Sequence, residues 1–278
     1  MPTFDTPGPI SVALELVACD VEIIASDRVD TVVEIRPRDA SRDIDRKEAE
    51  RTTVDFLGGK LRIKTSKLGA LFTRTGVMAL RLELPTGSRV QGTTSMGDFV
   101  AEGTLGECGF TTAAGDIRLG ETGPLKAKTT HGALIVDKVD GDAMLTGSGD
   151  LHVGSVGGEG VIKNINGPCW VGDISGDLQL SSANGDVTAE RPQGSVLAKT
   201  AYGTVRVRQA VRGTMVLETQ SGNVEIGIRA GTAAWLDVRT WYGSVHSALD
   251  GTDAPTTTEE AVEVRARTWA GDIVVNRA

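Results

Sequence analysis

The sequence predicts an all-β chain folded as a parallel β-solenoid of about 18 residues per coil, and three observations predict it. A motif of glycine, a small residue and an aliphatic recurs ten times, at Gly97, Gly115, Gly132, Gly149, Gly167, Gly185, Gly203, Gly222, Gly243 and Gly271. The successive differences are 18, 17, 17, 18, 18, 18, 19, 21 and 28. The second observation is compositional: 35 glycines and only 4% aromatics suit many turns around a thin aliphatic core. The third is strict alternation in the columns obtained by aligning on the glycine, which marks strands with one buried face.

The N-terminal part is the least regular. Ser11–Val17, Val21–Ala25, Thr31–Ile35, Thr53–Phe56, Leu61–Lys64 and Leu80–Leu84 alternate like strands. Cys19-Asp20-Val21 reads as a degenerate copy of the repeat motif. Arg42–Thr52 is highly charged and fits a short solvated helix or loop, and Ser66–Val77 is an excursion that caps the fold or binds. Residues 1–94 are therefore expected to form irregular capping coils, continuous with regular repeats over 95–278. The whole chain, 1–278, is expected to be a single solenoid domain.

In the regular coils, Phe99, Ile117, Leu134, Leu151, Cys169, Val187, Val205, Val224, Val245 and Ile273 stand two residues after the glycine and should point inward. Five residues before the next glycine, Phe110, Ala127, Met144, Ile162, Leu180, Ala198, Leu217, Val238 and Ala266 form the opposing inward column. Three before it, a column of Thr, Ser and Asn that includes Thr112, Thr146, Ser182 and Thr268 should bond backbone groups at the corner. One coil cannot bury its own apolar face, so coils must stack. An insertion at 251–261, rich in Thr, Asp and Glu, precedes the coil of Gly271.

Three stretches carry a family resemblance. They are Pro9-Ile10-Ser11-Val12 with Asp20-Val21 and Ser26-Asp27-Arg28; Leu82 to Val90 leading into Gly97-Asp98-Phe99; and Gly231 to Val238. Together they resemble a bacterial family of β-strand-repeat proteins labelled candidate adhesins, a domain of unknown function, and especially its actinobacterial members. The resemblance spans essentially the whole chain. It implies a parallel β-solenoid and no catalytic residues.

Charge and composition narrow the function. With 29 basic against 37 acidic residues, the net charge of −8 lacks the footprint that nucleic acid or an anionic membrane surface requires. Cys19, Cys108 and Cys169 are odd in number and form no C-x-x-C pair, so neither a disulfide framework nor a zinc site is expected. The opening residues lack a basic segment followed by an apolar run, and a cytoplasmic protein is expected. The Asp of the Gly-Asp motif is ordinary turn chemistry, and His131, His152 and His246 are not spaced as a catalytic set. No catalytic residue, metal site or cofactor is expected.

What the fold does not require is aromatic residues beside the repeat glycine. Tyr202, Trp241, Tyr242 and Trp269 stand there in the later coils, with Arg239 and Arg267 in the neighbouring column. Exposed rings beside cations suit a protein contact or carbohydrate stacking. The chain is accordingly read as a non-enzymatic scaffold that engages a protein partner or itself. The alternative is a β-helix carbohydrate-active enzyme or carbohydrate-binding protein, for which Lys128, Lys163, Lys199, Arg239 and Arg267 supply an outward basic stripe.

Overall fold

The computed structural model describes residues 2–65, 76–249 and 260–278, and it contains two compact units, Met1–Asp140 and Gly141–Ala278. Each unit is a parallel β-solenoid of two facing sheets.

Unit 1 begins with β1 (Thr3–Asp5), β2 (Ser11–Glu15), β3 (Cys19–Ser26) and β4 (Asp30–Pro37), then helix α1 (Asp43–Arg51). It continues with β5 (Thr53–Leu57), β6 (Lys60–Lys64), β7 (Met78–Pro85), β8 (Arg89–Met96) and β9 (Phe99–Leu105). The regular coils then give β10 (Cys108–Ala114), β11 (Ile117–Thr122), β12 (Leu125–His131) and β13 (Leu134–Val139). One sheet runs β1-β4-β7-β3-β9-β11-β13 and the other β12-β10-β8-β2-β6-β5. The coil of β2 and β3 therefore lies between that of β6 and β7 and that of β8 and β9, out of chain order. Cys19-Asp20-Val21 does occupy a repeat position: Val21 pairs with Phe99, and Asp20 Oδ1 accepts the Asp98 N–H. The charged stretch forms α1, held by the buried Asp45, which accepts the N–H groups of Asp39 (3.3 Å) and Val77 (3.0 Å).

Unit 2 holds β14 (Ala143–Gly147), β15 (Leu151–Val156), β16 (Gly160–Asn166), β17 (Cys169–Ile174), β18 (Leu178–Asn184) and β19 (Val187–Pro192). Next come β20 (Val196–Tyr202), β21 (Val205–Ala210), β22 (Gly213–Ser221) and β23 (Val224–Ile228). The last elements are β24 (Ala233–Tyr242), β25 (Val245–Ser247), β26 (Ala261–Ala270) and β27 (Ile273–Arg277). The sheets run β15-β17-β19-β21-β23-β27-β25 and β24-β26-β22-β20-β18-β16-β14. The coil of β26 and β27 does not follow that of β24 and β25 on the outside; it is inserted beneath it.

The repeat glycine has a plain physical cause. Gly115 holds φ at +151°, and a methyl built on it would overlap the Gly97 carbonyl of the adjacent coil. Both the conformation and the close approach exclude a Cβ. The corner column bonds these same glycines: Thr112 Oγ1 donates to the Gly97 carbonyl at 3.1 Å, Thr219 to Gly203 at 3.0 Å and Thr268 to Gly222 at 2.9 Å. The motif aspartates complete the turn, since Asp98 Oδ1 accepts the Asp116 N–H at 2.8 Å and Asp116 Oδ1 accepts the Ala133 N–H at 2.8 Å.

The assigned columns hold with identifiable departures. Leu145, not Met144, points inward: it pairs with Ile162 and is buried, while Met144 is 51% exposed. The corner between Gly147 and Gly149 is one residue shorter than that between Asn164 and Gly167, so counting back from the glycine overshoots. For the same reason Gly147, not Thr146, stands opposite Asn164. Ser182 Oγ is buried without a hydrogen-bond partner among the described residues, a gap in the corner ladder. Val245 is 44% exposed because β25, which pairs with β27, is the outermost strand of its sheet. Most of the Ser66–Val77 excursion (66–75) and of the 251–261 insertion (251–259) lies outside the described residues.

Candidate functional site

The outermost strand β24 pairs in parallel with β26 along its whole length, with Ala233 opposite Ala261 and Tyr242 opposite Ala270. Alternation sends Ala234, Leu236, Val238 and Thr240 inward and Trp235, Asp237, Arg239 and Trp241 outward. Opposite the outward set, β26 presents Glu263, Arg265, Arg267 and Trp269. Parallel pairing of the strands thereby stacks the Trp241 and Trp269 rings, with centroids 5.5 Å apart and planes inclined by 26°. Tyr242, at the end of the strand, meets the Trp269 edge at 5.8 Å and 62°. Arg239 lies against the Trp241 ring, Cζ 5.9 Å from its centroid, and pairs with no carboxylate among the described residues.

Of the residues expected from sequence, Trp241, Tyr242, Trp269 and Arg239 therefore form one cluster on the rim. Arg267 flanks it but is engaged by Asp237, with Nη2–Oδ2 at 2.6 Å and Nη1–Oδ1 at 2.9 Å, a bidentate pair. Hydrogen bonding from Arg267, aided by the charges of Arg239 and Arg265, holds the Asp237 carboxyl below the usual aspartate range. Tyr202 is not part of the cluster. It shares a row with Tyr242, but Ser221 and Ala270 stand between them, which separates the two by about 14 Å at the usual strand spacing. Trp235, 59% exposed, and Asp237 belong to the site and escape a search confined to the glycine turns. Their cue in the sequence is parity: Trp235, Asp237, Arg239 and Trp241 fall on alternate positions of one strand.

Several of the remaining chemistry-bearing residues have structural surroundings that occupy them. Burial pushes the thiols of Cys19, Cys108 and Cys169 up to about 12. His152 stacks on Trp170, rings 4.2 Å apart and 8° from parallel, and the Trp170 indole donates to Glu190 at 3.0 Å. In the basic stripe, Lys199 pairs with Glu218 at 2.8 Å. A depression of about 490 Å³ on the outer face of unit 1 is lined by Asp20, Glu22, Glu34, Arg36, Arg81 and Asp98. Its arginines pair with its own carboxylates, Arg81 with Glu22 at 3.0 Å and Arg36 with Glu34. Among the described residues no group of three His, Cys, Asp or Glu side chains converges as metal ligands would.

The sequence matches the Toastrack DUF4097 family over residues 10–276, and the chain belongs to that family. No protein of curated function matches it. Similar solved structures include a candidate adhesin from Parabacteroides merdae ATCC 43184, 9% identical with a TM-score of 0.40, covering 100% of this chain and 95% of that one. A candidate adhesin from Parabacteroides distasonis ATCC 8503 is 10% identical with a TM-score of 0.41, covering 98% and 95%. A candidate lipid-binding protein from the same strain is 13% identical with a TM-score of 0.36, covering 100% and 95%.

Proposed function

We propose that this member of the Toastrack DUF4097 family is a non-enzymatic solenoid scaffold, cytoplasmic and of the actinobacterial type, that binds a protein partner through the rim of β24 and β26. The observation that carries the reading is the exposure of the aromatic rings there. Trp235, Trp241 and Tyr242 of β24 and Trp269 of β26 are each at least half exposed, at 59%, 50%, 68% and 55%, and β24 has no further strand neighbour among the described residues. A solenoid gains nothing for its own core from rings turned to solvent, whereas Trp, Tyr and Arg are the residues that dominate contact energies at interfaces. The edge of β24, unpaired among the described residues, adds backbone donors and acceptors to the same surface.

Replacing Trp241 and Tyr242 together by Ser should reduce partner binding by at least tenfold and leave the melting temperature within a few degrees. Binding unchanged by the double replacement would refute the reading. A second reading is favoured by one observation, the exposed, stacked Trp241–Trp269 pair beside Arg239, whose outer face would offer a stacking surface to a sugar ring. Quenching of tryptophan fluorescence by soluble polysaccharides, lost in the same variant, would select it.

A further inference from the structure

We propose that the occupant of the β24 edge is a second copy of this chain, paired antiparallel strand to strand about a two-fold axis at Val238. The inference rests on the rim of β24 and β26 being a contact surface and names what covers it.

The outward residues of β24 read Trp235, Asp237, Arg239, Trp241, an order with opposite charges at the centre and the same ring at each end. In an antiparallel pair centred on Val238, Asp237 stands opposite the partner's Arg239 and Arg239 opposite the partner's Asp237. Trp235 stands opposite the partner's Trp241 on both sides of the axis. On the inner face Val238 meets its own counterpart, and Leu236 meets the partner's Thr240. Every outward pair is thus favourable, and an isologous interface requires this self-complementarity.

Other arrangements fail on the same residues. In-register parallel pairing sets Asp237 against the partner's Asp237 and Arg239 against the partner's Arg239. An antiparallel shift of two residues either way centres the axis on one of these charges and opposes it to itself. Like charges directly opposite destabilise a strand pair, so charge selects the Val238 register. Two further observations agree. Arg239 has no carboxylate partner among the described residues, and the proposed pairing sets it opposite the partner's Asp237, a carboxylate it would share with Arg267. Leu236 and Val238 are only partly buried in the isolated chain, and the pairing would extend the core across the axis.

The test is sedimentation equilibrium of the full chain over a wide concentration range, with two single charge reversals, Arg239→Asp and Asp237→Arg. The wild type should dimerise reversibly and each reversal alone should be monomeric, because each sets like charges opposite one another. Mixed in equal amounts, the two variants should recover dimer, since in the heterodimer every central pair is again of opposite sign. Asp237→Arg also loses the Arg267 pair, so its circular dichroism and melting are compared with wild type. Trp235→Ser, on the exposed face, serves as a second variant that should weaken dimerisation while folding normally. A wild type that is monomeric throughout, or variants that dimerise as well as wild type, or a mixture that stays monomeric, would overturn the proposal. If the wild type is monomeric but partner binding still falls in the Trp241→Ser, Tyr242→Ser variant, self-pairing is wrong and the contact surface stands. If neither depends on these residues, both readings fall.

Discussion

In unit 1 the outermost strands, β1 and β5, run antiparallel to their neighbours β4 and β6, and Phe4 and Phe56 meet at 4.8 Å between the two sheets. In unit 2 the outermost strands, β24 and β25, keep the parallel direction of the coils, and Leu236, Val238 and Val245 remain partly or largely exposed. β1 is three residues long and β24 is ten. Short, reversed edge strands with a ring pair behind them resist further strand addition, whereas a long edge in the direction of the repeat invites it. The difference teaches that the same coil repeat can be closed or left ready for a partner by what is placed on its last strand.

The largest effect that would sharpen this contrast lies within one inward column. Leu217, Ala266 and Val238 are neighbours in it, the first two buried and the third half-buried. Leu217→Ala should cost about 2–5 kcal/mol by denaturant titration. Val238→Ala should cost about 1 kcal/mol, less than Leu217→Ala, because its smaller side chain is already partly in water. Equal costs would mean that the end of unit 2 is covered after all. Next, Phe56→Ala should break the closure of unit 1. We expect a loss of about 1–2 kcal/mol, less than for a fully buried ring, with hydrogen exchange accelerated first in β1 and β5.

The smallest effect is one of pH. The Asp237 carboxyl is held below its ordinary value of 3.8, chiefly by hydrogen bonding from Arg267. A carboxylate with a depressed folded-state value contributes stability that is fully present above the unfolded value and lost as pH falls through the folded one. Acidification below about pH 4 should therefore loosen the β24–β26 face, read as a change in tryptophan fluorescence, and Asp237→Asn should remove that step. Glu15, Asp30 and Glu83 are depressed in the same way by arginines in unit 1, so the fluorescence of the rim rather than global melting is the informative readout.

Strand positions and inward columns were legible because each coil gives its residues nearly the same environment. Gly115, Thr112 and Asp116 fill the same three roles in successive coils, so their spacing exposes the fold. Stacking order was not legible, for the same reason. Ala266 fits between Leu217 and Val238 as well as it would fit beyond Val238, and alternation is blind to which coil is the neighbour. The missing corner residue before Gly149 hid the exchange of Met144 for Leu145, since a deletion within a turn leaves the alternation on either side intact. At the site, the pairing of Trp241 with Trp269 followed from their common place before the glycine. Trp235 and Asp237 were missed because they lie along the strand, away from the turn, and the distance of Tyr202 depended on the hidden stacking order.

The inserted coil of unit 2 has a consequence for assembly in time and under load. Strands β26 and β27 come later in the chain than β24 and β25, yet they form the floor on which those strands rest. During synthesis the outer coil must therefore wait, unseated, until its support has been made. The reverse holds for a pull on the segment after β27. Such a pull first meets Asn276 and Arg277, which pair with β23 alone among the described residues, and then Ile273, Val274 and Val275, which must be drawn from between β23 and β25.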